Sequence, residues 1–149
     1  MIKRSLLFVF GVMLTIMSQA QEIKVVTIVE SVVPMGIGRS RMIEEKADID
    51  YKGLTTERTD GKKSNSKDTK RSDAKIDTFA ETKLLNFYSA VGINFQNIAS
   101  NDAVISSKIN DLISNGWTLI FVSSAVESDA GKGDGTGIFI TRLFFKKVN

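Results

Sequence analysis

The chain reads as an α+β fold with a β-α-β-β core: a small antiparallel sheet of three or four strands, with one helix packed on one face. Three observations carry that reading. Residues 23–33, IKVVTIVESVV, are dense in β-branched side chains, which suit a pleated, half-buried surface. Residues 101–115 repeat apolar positions at helical spacing. The runs WTLIFVSSAV (117–126) and GIFITRLFFKK (137–147) are strand-like and joined by a glycine-rich connection.

Residues 1–20, MIKRSLLFVFGVMLTIMSQA, stand apart from that fold. Lys3 and Arg4 precede an apolar run from Leu6 to Met17, and Ser18-Gln19-Ala20 supplies the small residues a signal peptidase requires. The run is shorter than the roughly 20 apolar residues of a spanning helix, which disfavours an uncleaved anchor. Cleavage is expected after Ala20. The expected product is a single domain over 21–149, periplasmic or secreted, with no stable membrane span. The formal charge of +3 then falls to +1, because Lys3 and Arg4 leave with the leader.

The first strand is expected to stop at Pro34, the only proline, and Pro34 to Gly38 to form a turn leading into a second strand. From Thr55 to Lys75 the only apolar side chain is Ala74, too little burial to offset the entropy of ordering. Residues 55–75 are therefore expected to be a flexible basic insertion, with Met42 to Leu54 as its shoulder. Between Lys52 and Lys75 eight Lys/Arg face four Asp/Glu, a mixed-sign composition that argues for a solvated loop rather than a nucleic-acid-binding arm.

Order resumes near Phe79. Residues 84–98 nearly alternate apolar and polar, predicting an extended element with a bend or bulge at Gly92, with a short helix over 81–90 as the alternative. Ser100 or Asn101 is then placed to cap the helix, with Asp102 in its first turn. Val104, Ile105, Ile109, Leu112 and Ile113 share one face, and Gly116 suits the left-handed position that ends the helix. Trp117 follows directly and is expected to pack the helix onto the sheet. The last two strands are expected to pair antiparallel.

Lys24-Val25-Val26, Asn115-Gly116-Trp117 running to Val122, and Phe144-Phe145-Lys146 form a pattern that resembles the bacterial family domain of unknown function 4177. Its members carry a Y-K-V-V-like strand, a helix ending E-G-W-E-L-V and an F-K-R-like final strand. The resemblance covers about half of residues 21–149. It departs from the family in the leader and in the long stretch between the first strand and the helix. It implies a β-α-β-β arrangement and no activity.

Composition removes much familiar chemistry. The chain has no histidine and no cysteine. Ser-His-Asp and Cys-His catalysis, ordinary zinc sites, disulfides and a lipidated N-terminal cysteine are thereby excluded. Two polar constellations remain as candidate sites. In GIGRSR (36–41), Arg39 and Arg41 follow two glycines, and guanidiniums beside backbone amides can receive an anion. In ESDAGKGDGTG, Glu127, Asp129 and Asp134 offer hard oxygen ligands of the kind Ca²⁺ accepts, although the spacing matches no EF-hand and Lys132 sits among them. For each, the plainer reading is a solvated turn. The aromatic set Trp117, Phe121, Phe139, Phe144 and Phe145, with Phe87 and Tyr88, is expected to fill the core rather than to stack on ligands. No cofactor is implied. The expected function is a non-catalytic binding or interaction module of the cell envelope, its partner an envelope protein or a small anionic ligand and not nucleic acid. The alternative is a small hydrolase or Ca-dependent protein using the carboxylates of residues 127–137.

Overall fold

The computed structural model describes residues 21–32, 40–89, 91–127 and 137–148; the expected leader and cleavage site lie outside them. The chain is α+β, mostly β. Its elements are β1 (Gln21–Ser31), β2 (Arg41–Glu45), β3 (Phe79–Lys83), the short pair β4 (Tyr88–Ser89) and β5 (Gly92–Ile93), helix α1 (Phe95–Ser114), β6 (Thr118–Val126) and β7 (Ile138–Val148). Five strands form one sheet in the order β3-β2-β1-β7-β6, one or two more than the sequence suggests. All neighbours run antiparallel. α1 therefore crosses from one edge strand, β3, to the other, β6.

The strand rich in β-branched residues, β1, lies at the centre. β1 pairs along its full length with β7, from Gln21 opposite Val148 to Ser31 opposite Ile138. Because successive side chains alternate faces, this register sorts the sheet into two surfaces. Val26, Ile28, Met42, Leu143 and Phe145 point to the α1 side and are buried with Leu84, Leu112 and Trp117. Ile105, Ile109 and Leu119 pack against this core. The helix face is thus centred on Ile105, Ile109 and Leu112, while Ile113 at its margin is half exposed.

The end of α1 is a Schellman motif. Trp117 N–H reaches Leu112 O and Gly116 N–H reaches Ile113 O, both at 3.0 Å. Gly116 takes the positive φ of 86° that this turn requires. The motif brings Trp117 and Leu112 together in the core, so the tryptophan follows the glycine for a packing reason.

The start of α1 corrects the sequence expectation. The cap is Asn94, whose side chain accepts from Asn97 N–H, and the helix begins at Phe95 rather than near Ser100. Asn101 lies within the helix and is 1% exposed. Its Oδ1 accepts from Leu85 N–H and its Nδ2 donates to Leu85 O, both at 2.8 Å. A side-chain amide thus mimics a strand neighbour for the segment that enters the helix. Gly92, with φ 116°, makes the bend between β4 and β5.

Met42 to Glu45 belongs to the sheet instead of the insertion's shoulder, and Met42 is core. Residues 55–75 are almost entirely exposed; their local order includes Asp60 accepting from the N–H groups of Lys62 and Lys63 and a short 3-10 turn at Ser66–Asp68.

Candidate functional site

Arg41 and Glu127 are the two described members of the sequence-derived sites; Arg39, Asp129 and Asp134 lie outside the described residues. Arg41 begins β2 and its guanidinium is 3.0 Å from Glu81 on β3. Glu127 is exposed just beyond β6, and its N–H closes the hairpin on Ile138 O at 2.9 Å. Both stand at the end of the sheet where Val32 N–H meets Gly137 O and Ser40 Oγ accepts from Ser31 N–H. Gly137 is required there by space: a Cβ on it would collide with Val32. Among the described residues, no group of three His, Cys, Asp or Glu could hold a metal ion.

Two half-buried carboxylates that sequence patterning does not reveal sit beneath α1. Burial pushes Glu30 above the ordinary carboxylate range, although its hydrogen bond from Asn101 Nδ2, at 3.0 Å, opposes the rise. For Glu44 burial acts in the same direction, but hydrogen bonds from Lys108 and Lys24 outweigh it and hold the carboxyl below the usual range. The distances are 2.6 Å to Lys108 and 2.8 Å to Lys24. Lys24, in turn, is raised by that bond against its own desolvation. The Lys24 and Lys147 ammonium groups lie 5.3 and 5.8 Å from the Trp117 ring centre, within cation–π range. These groups are engaged with one another and tie α1 to the sheet. Their partners come from distant parts of the chain, so no local motif announces them.

The features without such internal partners lie elsewhere. α1 covers one face of the sheet. On the other, Ile23, Phe79 and Phe121 are 54%, 47% and 59% exposed, and Val25, Val29, Ile43, Ile140 and Phe144 are partly so. Phe121 and Phe144 meet there at 5.7 Å with tilted rings. The aromatic set therefore divides. Trp117 and Phe145 are core as expected, while Phe121 and Phe139 are exposed: no second layer among the described residues covers Phe121, and Phe139 meets only the edge of the core at Phe87, with ring centres 6.2 Å apart.

A shallow apolar cavity of about 240 Å³ opens on the uncovered face among Val25, Thr27, Ile43, Glu45, Ile76 and Phe79. It falls below the roughly 300–1,000 Å³ of small-molecule sites and is sized for a side chain. A groove of about 480 Å³ runs between α1 and β2–β3, beside Met42, Val104 and Lys108.

The uncovered face ends at β6. From Ile120 to Val126 every residue is exposed, and Ile120, Phe121, Val122 and Val126 are each about half accessible or more. Leu119 is still held by the core, but beyond a register shift at Ile120 the strand runs clear of α1. Among the described residues, β6 bonds to β7 on one side and carries an unpaired main-chain edge on the other. An edge of this kind accepts a further strand through backbone hydrogen bonds.

No known family, curated protein or solved structure matches the chain.

Proposed function

We propose that this chain is an exported, non-catalytic interaction module of the bacterial envelope that works by adding a partner strand along β6. The observation that carries the reading is the combination, on one strand, of an unpaired backbone edge and apolar side chains exposed on both faces. The backbone would supply affinity, and Phe121 on one face with Val122 and Val126 on the other would supply contact area. The small apolar cavity suits an anchoring side chain from the same partner. The leader-like residues 1–20 and the pattern resembling domain of unknown function 4177 are compatible with this role.

A photo-crosslinking amino acid at Val122, introduced into the full-length chain in cells, is expected to give a covalent adduct. The same group at Glu57, in the exposed insertion, is expected to give none. Absence of any Val122 adduct would remove the reading. N-terminal sequencing of chain recovered from the envelope is expected to begin at Gln21; an N-terminus at Met1 would remove the export element.

A further inference from the structure

We infer that the strand received by β6 is β6 of a second copy, in a two-fold symmetric antiparallel pair that joins two five-stranded sheets into one of ten. The inference rests on the reading of β6 as the working edge and names its occupant.

Charge decides between the two edges. β3, at the opposite side, has five residues, two of them charged, and Glu81 is held by Arg41. Short length and charge are the usual protections of an edge strand. β6 has nine residues, TLIFVSSAV, with no charge and no proline. A two-fold axis perpendicular to a sheet brings residues of one strand opposite their own copies or near neighbours. Such a pair tolerates no fixed charge at its centre, because each charge would meet its like. An uncharged strand meets this condition in every register, and it offers no charge by which to select a foreign acidic or basic peptide.

On the uncovered face, Arg142 on β7 lies opposite Ser123 at the middle of the β6 edge. In the paired assembly it would be separated from its copy by three strand spacings, about 14 Å. That exceeds the Debye length of about 8 Å at physiological ionic strength, so repulsion is screened. Centring the axis on Ser123 places Phe121 opposite Ala125 and Ile120 opposite Val126, matching large against small and apolar against apolar. The Phe121 rings of both copies then extend the uncovered apolar faces into one surface.

The chain has no native cysteine, so single substitutions report register without background. Phe121→Cys, Val122→Cys, Ser123→Cys, Ser124→Cys and Ala125→Cys, each in the full-length chain under mild oxidation, should give a disulfide-linked dimer with one maximum. The maximum marks the residue opposite its own copy, and yield should fall on either side. Sedimentation equilibrium of the unmodified protein should show a monomer–dimer equilibrium. Val122→Lys should weaken it by at least about tenfold, while Thr82→Lys at the opposite edge leaves it unchanged. A chain that is monomeric up to about 1 mM, a dimer indifferent to Val122→Lys, or a flat cysteine profile overturns the inference. A monomer that still crosslinks through Val122 to another protein loses the self-pairing and keeps the strand-addition reading.

Discussion

Val26 and Val25 are adjacent on the same central strand, yet Val26 is completely buried beneath α1 while Val25 lines a cavity on the uncovered face. The same division runs through β7, where Phe145 is sealed and Phe144 leans against the exposed Phe121. The two faces have similar apolar character and different completion. On one side the helix supplies the second layer, and ion pairs and an asparagine clamp fix its position. On the other, apolar side chains stand exposed, and no layer among the described residues meets them. Contiguous exposed apolar patches, where they are large, mark surfaces that meet another macromolecule.

That contrast is open to measurement, beginning on the covered side. Trp117→Ala should cost about 3–5 kcal/mol in denaturant unfolding, since a buried aromatic is lost from the Schellman junction. A cost below about 1 kcal/mol would mean that the covered face is not the one that stabilises the fold. Asn101→Ala should cost about 2–3 kcal/mol, because the clamped N–H and C=O of Leu85 lose their partner in a mostly dry setting.

Glu44→Gln should cost on the order of 1 kcal/mol near neutral pH, by weakening two charge-assisted hydrogen bonds. Its folded pKa is lowered, so Glu44 stabilises the fold above the unfolded value near 4.5 and that contribution fades as pH falls through the folded value. The variant and the parent should therefore converge in acid-titrated melts. Glu30 has the opposite sign. Its folded pKa is raised, so its favourable contribution exists below about 4.5 and is lost as pH rises through the folded value. Glu30→Gln should leave stability at neutral pH unchanged or slightly higher; a marked loss would show that the Glu30 charge is needed beneath α1.

Phe121→Ser, on the uncovered face, should change monomer stability by less than about 1 kcal/mol. A larger loss would mean that this face is part of the monomer's core after all.

Much of this architecture is legible in the sequence where local pattern and tertiary demand agree. β1, β6 and β7 are long apolar runs, and Asn115-Gly116-Trp117 states its own turn chemistry. β3 escapes such reading because FAETK is a short, mostly exposed edge strand whose pairing depends on β2. The first turns of α1, FQNIAS, carry few core-facing residues and depend on the Asn94 cap and the Asn101 clamp. Alternation places Phe121 and Phe144 on strands, but no local signal tells whether a second layer will cover them. The Glu44 cluster joins β1, β2 and α1 and has no linear signature. For the polar site, Arg41 is found beside Glu81 and Glu127 at the close of a hairpin, while Arg39, Asp129 and Asp134 lie beyond the described residues.

The pairing of β1 with β7 also sets the order in which the molecule can be assembled. Its centre joins the segment beginning at Gln21 to the segment ending at Val148, with every other described element between them in the chain. A growing polypeptide can form the β1–β2 hairpin and nucleate α1 early, but the middle of the sheet waits for β7 to emerge. Such long-range closure is slow relative to local structure formation. Until then β1 is itself an open edge on the side β7 will occupy, and open edges invite pairing with other strands.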